Sequence, residues 1–222
     1  MLEISHLCVN IGAIEILRSV QMSLPTGTMT GLFGRNGAGK TSLLRTVMGA
    51  MSARQGGITL NGQALERLPA HRRAHLGIGY MPEDRKLVPE LSCRDNLLVP
   101  LHAGVALERR RLDWVVELIP ELQALLPRRA SLLSGGQQKI VALGRAFVVG
   151  RDLLLLDEPT EGVAPVLATR FSDILAQLKG TGTTILVAES DSRYVRHLVD
   201  HTYELDRGEA TLLAASAPAP AH

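Results

Sequence analysis

A glycine-rich octapeptide is the segment of this sequence best suited to chemistry on phosphate groups. It reads Gly34-Arg35-Asn36-Gly37-Ala38-Gly39-Lys40-Thr41, with Ser42 directly after it. This is the phosphate-loop pattern, in which glycines let successive backbone N–H groups point at an anion and the following helix adds its positive dipole end. Lys40 is predicted to reach the β and γ phosphates of a nucleotide, and the Thr41 hydroxyl to bind Mg²⁺. The alternative is a flexible turn with a solvated lysine.

Two adjacent carboxylates follow a run of four leucines. Leu153–Leu156 are too few for a helix and predict a strand buried on both faces, which ends in Asp157 and Glu158. By themselves these acids are also compatible with a solvated turn. Beside a phosphate loop they predict a Mg²⁺ ligand in Asp157 and a general base in Glu158, because ligands bind at the carboxyl ends of parallel strands.

The elements that must position these groups follow from the spacing of apolar residues. Residues 2–9 and 20–24 alternate in places and predict a small β layer, whereas helical spacing at 92–126 predicts a helical segment that Pro120 kinks or divides. The predicted core elements are strands at 29–33, 153–156 and 183–188, helices at 41–48 and 137–149, and a hairpin around 203–208. Aromatic residues are only 3% of the chain while 45% is hydrophobic, so the core is aliphatic, as helices covering a parallel sheet require.

A second candidate anion site precedes the helix at 137–149. It reads Leu133-Ser134-Gly135-Gly136-Gln137. Ser134 is a suitable N-cap, and the glycine N–H groups at the helix start could bind an anion. The segment is identical to the signature of ATP-binding-cassette (ABC) ATPases, which the chain resembles over residues 2–213. The resemblance implies that Ser134 to Gln137 complete, in trans, the ATP site of a facing subunit.

The resemblance also implies the architecture. We expect an α/β fold: a phosphate-loop NTPase core with a mostly parallel sheet, an N-terminal antiparallel β layer and an inserted helical lobe. The expected domain spans 1–213, with core segments 1–88 and 136–213, the lobe at 89–135 and a disordered tail at 214–222.

Two shorter segments resemble the ATPase subunits of branched-chain amino acid, urea and amide importers. They are Tyr80-Met81-Pro82-Glu83-Asp84-Arg85, at the position of the Q-loop, and Glu158-Pro159-Thr160-Glu161-Gly162-Val163-Ala164-Pro165, at the D-loop. This resemblance implies that Glu83 senses Mg²⁺ and nucleotide and connects to the helical lobe. A surface salt bridge is the alternative role for Glu83.

Two positions depart from the family pattern. Where many members stack an aromatic residue on adenine, this chain has Ile11, so Ile11 and Ile16 are expected to give only apolar contact and modest, poorly discriminating nucleotide affinity. Where the family carries a switch histidine, or glutamine in the importer subgroup, this chain has the shorter Ser190. Because its side chain is short, Ser190 is expected to need a bridging water to reach the γ phosphate.

Composition and the resemblance together define the expected setting. The net charge of +2 does not call for a nucleic-acid partner, Cys8 and Cys93 are expected to be buried free thiols, and no apolar run is long enough to cross a membrane. The resemblance implies ATP and Mg²⁺ as cofactors, a second cassette and membrane permeases as partners, indirectly a solute-binding protein, and a peripheral place on the cytoplasmic face of the inner membrane.

Three functions are compatible with these residues. The first is the ATPase subunit of an importer. The second is a regulatory cassette with weak hydrolysis, which the residues at positions 11 and 190 make conceivable. The third is a DNA-repair or chromosome ATPase, but such proteins have long heptad arms where this chain has only a short lobe.

Overall fold

Two β-sheets and a set of helices make up the residues that the structure, a computed structural model, describes: 1–101 and 105–215. The strands are β1 (Leu2–Ile11), β2 (Ile14–Leu24), β3 (Met29–Phe33), β4 (Gln55–Leu60), β5 (Gln63–Ala64), β6 (Ile78–Met81), β7 (Leu153–Asp157), β8 (Thr184–Glu189), β9 (His201–Asp206) and β10 (Glu209–Ala215). The helices are α1 (Lys40–Met48), α2 (Ala70–His75), α3 (Cys93–Leu98), α4 (Val105–Leu118), α5 (Glu121–Leu125), α6 (Gly135–Val149) and α7 (Pro165–Leu178).

The larger sheet positions the phosphate loop and the acids. Its strand order is β10-β9-β3-β8-β7-β6, with parallel pairing from β9 through to β6 and an antiparallel edge strand, β10. Every residue of β7 and β8 is buried, because helices cover both faces of a parallel sheet. The carboxyl ends of β3, β7 and β8 therefore share one edge, as the sequence predicted.

The smaller sheet is the predicted N-terminal β layer. Its order is β2-β1-β4-β5, and all its pairs are antiparallel. The segments predicted at 2–9 and 20–24 are parts of one longer hairpin. Strand β4 was not predicted, because Gly56 and Gly57 have no side chains and the alternation of apolar and polar residues is lost at one end of the strand.

The helical segment divides at the predicted proline. Pro120 separates α4 from α5, and the apolar residues Val115, Ile119 and Leu122 are fully buried. They belong to the same hydrophobic cluster as Phe147 of α6 and residues of the large sheet. The packing between the helical lobe and the core is therefore continuous. The predicted limits of the lobe, residues 89 and 135, stay predictions.

Three further expectations concern the thiols, the tail and the membrane. Both cysteines are free, but only Cys93 is buried, while Cys8 is half-buried on the small sheet. The tail predicted at 214–222 begins too early, because β10 pairs with β9 as far as Ala215; residues 216–222 lie outside the described part of the chain. No helix within 1–101 and 105–215 is both long enough and apolar enough to cross a bilayer.

Candidate active site

The phosphate loop connects β3 to α1, as predicted. Gly39 forms the N-cap of α1 with φ 112°, a conformation that favours glycine, and it accepts the first helical hydrogen bond from Leu43 N–H at 2.9 Å. Gly34 lies so close to the hairpin β9–β10 that a Cβ atom there would be 2.2 Å from the carbonyl oxygen of Leu205. The loop can approach its neighbours only because these positions carry no side chain.

Lys40 begins α1 with its ammonium in the middle of the site. Its Nζ donates hydrogen bonds to the carbonyl oxygens of Gly34, at 2.7 Å, and Arg35, at 3.2 Å. The same Nζ forms an ion pair with Glu158 Oε1 at 3.0 Å, and both side chains are about 5% exposed or less. The cation predicted to bind phosphate therefore lies between the loop and the predicted base.

Asp157 lies behind the loop and contacts the predicted metal-binding hydroxyl. Thr41 Oγ1 donates to Asp157 Oδ1 at 3.1 Å, and the Tyr80 hydroxyl donates to Asp157 Oδ2 at 3.2 Å. Burial raises the pKa of Asp157 to about 6; these two hydrogen bonds oppose the shift, while the charges of Glu83 and Glu158 add to it. A cation bound nearby would offset the cost of burying the charged carboxylate of Asp157.

Glu158 adopts a left-handed backbone conformation, with φ 48°, which is uncommon for a residue with a side chain and recurs at functional sites. Its Oε2 accepts hydrogen bonds from Ser190 N–H, at 3.0 Å, and from the Ser190 hydroxyl, at 3.1 Å. Burial alone would raise the pKa of Glu158, but hydrogen bonds from Glu189, Ser190 and Lys40 outweigh it and lower the pKa.

A second acid, Glu189, contacts Glu158 from the end of β8. Thr160 donates its N–H, at 2.9 Å, and its hydroxyl, at 2.7 Å, to Glu189 Oε1. Burial, followed by the hydrogen bond to Glu158, raises the pKa of Glu189 to about 8. Neither Glu189 nor Thr160 was assigned a role from the sequence. The position of Glu189, at the carboxyl end of a buried strand next to Ser190, was the available signal.

A cavity of about 430 Å³ brings most of the predicted site residues together. It is lined by Ile11, Ile16, Asn36, Gly37, Gly39, Lys40, Thr41, Ser42, Glu83, Glu158 and Glu161. Ile11 is 54% exposed at this cavity, so its aliphatic side chain is accessible there. The cavity joins the N-terminal β layer, the phosphate loop and the acids, as a nucleotide site requires.

Other predicted residues lie outside that cavity. Gly34, Arg35 and Ala38 line a separate space of about 440 Å³ between the loop and the β9–β10 hairpin. Ser134 and Gln137 form a capping box at the start of α6, since Ser134 Oγ accepts from Gln137 N–H and Gln137 Oε1 accepts from Ser134 N–H. The signature segment is thus a capped helix start that does not line its own chain's cavity.

The residues present fit a magnesium ion held jointly with phosphate. Thr41 Oγ1, Asp157 and Glu83 offer oxygen ligands only, which Mg²⁺ prefers. Within the described ranges no group of three or more His, Cys, Asp or Glu side chains is arranged to hold a metal alone. Mg²⁺ is commonly bound through one or two protein oxygens together with substrate phosphates, and this donor set matches that pattern.

A model of the family described as "ABC transporter" matches residues 17–161, well over half of the chain. The chain belongs to the ABC transporter family. It is an ATP-binding cassette of a transporter and an ATPase, and its resemblance to this family, predicted from the signature segment, is confirmed.

Relatives of this cassette serve different transporters. The high-affinity branched-chain amino acid transport ATP-binding protein BraG of Pseudomonas aeruginosa is 32% identical over 216 residues, which are 96% of this chain and 91% of BraG. The lipopolysaccharide export system ATP-binding protein LptB of Escherichia coli is 31% identical over 207 residues, 92% of this chain and 85% of LptB.

Solved cassettes share the fold. The crystal structure of the ADP conformation of an ATP-binding cassette of an ABC transporter matches this cassette with a TM-score of 0.82 and 26% identity, over 95% of this chain and 89% of that one. The predicted α/β architecture, with its parallel core and antiparallel layer, is therefore confirmed.

Proposed function

We propose that this cassette hydrolyses Mg-ATP to drive an importer for branched-chain amino acids or related small polar solutes such as urea and amides. The observation that carries the catalytic part is the position of Glu158. Its carboxylate lies 3.0 Å from Lys40 Nζ, beside the phosphate loop, in the cavity that also contains Thr41. This arrangement supports a general base and a phosphate-binding cation acting in one site.

The roles of the residues follow from this geometry. Glu158, whose pKa is lowered, is anionic at neutral pH and accepts a proton from the attacking water. Lys40 and the amides of the loop bind the phosphates and stabilise the charge that develops as the γ-phosphoryl group departs. A bound Mg²⁺, held by Thr41 and Asp157 with Glu83 nearby, would neutralise phosphate charge. Ile11 and Ile16 contact the adenine ring of the nucleotide. Ser190 orients the carboxylate of Glu158.

A second cassette completes the site in this proposal. Ser134 and the N–H groups of Gly135, Gly136 and Gln137 stand at the start of a helix, where an anion is favoured, yet they do not line this chain's cavity. They would contact the γ phosphate held by a facing copy or paralogue. Two ATP molecules then lie between the two cassettes.

The direction of transport is a more specific part of the proposal, and we propose import. The likeness to BraG and the segments around Glu83 and Glu161 support a branched-chain amino acid importer with permease subunits and a solute-binding protein. The cassette would then lie peripherally on the cytoplasmic face of the membrane. The likeness to LptB favours a second candidate, the ATPase of a lipopolysaccharide export system.

The catalytic roles can be tested on the purified chain. Lys40→Ala should lose Mg²⁺-dependent ATP binding in a calorimetric titration, because the loop loses its cation. Glu158→Gln should bind ATP normally, hydrolyse it at least 100-fold more slowly and accumulate as an ATP-bound dimer in size-exclusion chromatography. Normal turnover in the Glu158→Gln protein would refute the assignment of the base.

The cargo can be tested in the organism that encodes the chain. Replacing the chromosomal codon to give Lys40→Ala should abolish uptake of labelled leucine, valine, urea or acetamide. Unchanged uptake of all four, together with lipopolysaccharide retained in the inner membrane, would support the export candidate instead.

A further inference from the structure

Lys139 is a buried lysine in the second turn of α6, with only 4% of the residue exposed. Its ammonium donates hydrogen bonds to three carbonyl oxygens of the segment that follows β7: Glu158 at 2.8 Å, Pro159 at 3.4 Å, and Glu161. All three donors of the ammonium are therefore directed at one turn of the backbone.

The burial of this charge is costly. Burial lowers the pKa of Lys139, and the charges of Glu189 and Glu161 oppose that shift. Within the part of the chain that the structure describes, its ammonium forms no ion pair within 4.0 Å of a carboxylate. A buried cation is tolerated when its donors are satisfied, and here backbone oxygens satisfy them. The turn and the lysine thus depend on each other.

The turn held in this way has an unfavourable conformation. Glu158 has φ 48°, and such strain persists only where surrounding contacts maintain it. Its N–H donates to the Ala188 carbonyl oxygen at 2.9 Å, and Lys139 binds its carbonyl oxygen. The peptide groups on both sides of Glu158 are therefore fixed, which directs its carboxylate to Ser190 and Lys40.

The same turn is held from the opposite side by Glu189, through the N–H and hydroxyl of Thr160. That contact fixes the second residue after Glu158, whereas Lys139 fixes the carbonyl of Glu158 itself. Of Glu189 and Lys139, only the lysine belongs to α6, the helix that Ser134 caps.

We propose that Lys139 is a positioning residue for Glu158, and that it couples the signature end of α6 to the hydrolytic turn of the same chain. The inference rests on the proposed function, in which Glu158 is the base. Movement of Ser134 against the nucleotide of a facing subunit would then be transmitted, through α6 and Lys139, to Glu158 and its own nucleotide.

The test is Lys139→Met, which keeps the length of the side chain and removes its donors. The kcat for Mg-ATP hydrolysis by the full chain should fall at least tenfold, while KM and the ATP dissociation constant change less than threefold. Lys179→Met is the matched control, because Lys179 is a surface residue 39% exposed and paired with Asp200; its kcat should stay within twofold of wild type. If Lys139→Met does not fold, Lys139→Gln is judged by the same criteria.

A second measurement reports on the turn directly. In hydrogen–deuterium exchange, amides of residues 160–164 should exchange at least tenfold faster in the variant, while those of β7 remain protected. A kcat within twofold of wild type, or equal losses of kcat and ATP affinity, would overturn the positioning role. Unchanged exchange at 160–164 would overturn it as well.

Glu158→Gln, measured alongside, separates the two hypotheses. If Glu158→Gln is inactive and Lys139→Met is not impaired, only the inference about Lys139 fails. If Glu158→Gln turns over normally, the catalytic part of the proposed function fails. Exchange at residues 160–164 in Lys139→Met then decides separately whether the lysine holds the turn: wild-type exchange would show that it does not.

Discussion

The Glu158 carboxylate and Ser190 are joined by two hydrogen bonds to a single oxygen, one from the backbone N–H at 3.0 Å and one from the hydroxyl at 3.1 Å. Ser190 is the residue expected at the switch position, and the structure pairs it with Glu158, the proposed general base. A short side chain is sufficient for this contact, because the strand end of β8 already lies beside the turn that carries Glu158.

Ser190→Ala should lower kcat about ten- to 150-fold with little change in KM. The substitution removes the hydroxyl bond to Glu158 and leaves the N–H bond, and a hydrogen bond to a charged group contributes about 1.5–3 kcal/mol. Steady-state phosphate release measures the effect. Ser192→Ala, in the following turn, is the control. A Ser190→Ala protein with wild-type kcat would show that the Ser190 hydroxyl does not orient Glu158.

Glu189→Gln should change how stability depends on pH. The pKa of Glu189 is about 8 in the folded protein against a reference value of 4.5, so the folded state keeps a proton that the unfolded state releases. The contribution of Glu189 is complete below pH 4.5 and is lost as the pH rises through about 8, at a rate of at most about 1.4 kcal/mol per pH unit. Glutamine is neutral throughout and lacks this loss.

The measurement is urea unfolding of both proteins at pH 5.0 and pH 8.5. Relative to wild type, Glu189→Gln should gain stability at the higher pH. Comparing the two proteins cancels the contribution of Asp157, whose pKa is also raised. Stability curves that stay parallel between the two pH values would show that Glu189 carries no extra proton.

Ile11→Tyr should tighten ATP binding by about tenfold or more, because stacking an aromatic ring on a base contributes about 1–3 kcal/mol. Ile11 is exposed at the cavity beside the phosphate loop, so a larger ring can be accommodated. Calorimetric titration with ATP and GTP measures affinity and discrimination. Ile14→Tyr is the control, because Ile14 is exposed but does not line this cavity, and it should leave both affinities unchanged. Equal affinities in the two variants would show that the adenine ring binds elsewhere.

Gly34→Ala should impair the phosphate loop. A Cβ atom there meets the Leu205 carbonyl oxygen at 2.2 Å, and a backbone atom cannot move aside as a flexible side chain can. We expect ATP affinity at least tenfold lower and a reduced midpoint of thermal unfolding. Gly62→Ala is the control for ATP binding: its added Cβ would contact nothing within 4 Å, and although its φ of 79° makes a side chain there costly to stability, it should bind ATP normally. Normal ATP binding by Gly34→Ala would show that the loop does not need this close packing.

The local motifs were readable from the sequence because their chemistry depends on neighbouring residues. A phosphate loop requires glycines, Lys40 and Thr41 within a few positions, and a capped helix requires Ser134 and Gln137 three residues apart. The strand at 29–33 and the helix ending at Gly49 were likewise predicted from apolar runs and a terminating glycine, and the structure places both as predicted.

Contacts between distant segments were not readable in this way. The sequence marks Glu158 as an acid at a strand end, but its φ of 48°, its ion pair with Lys40 and its hydrogen bonds from Ser190 depend on β7, β8 and α1 meeting at one sheet edge. Likewise, the sequence shows Lys139 only as a polar residue in a helix, and it does not show the contacts of its ammonium with residues 158–161.

The sequence by itself determined the family, the phosphate loop and the identity of the acids, since these depend on residue types at fixed spacing. Only the tertiary structure decided the raised pKa of Glu189, the conformation of Glu158 and the contacts of Lys139. The physical reason is that burial and hydrogen bonding between segments far apart in the chain set pKa values and backbone strain, and no local spacing encodes them.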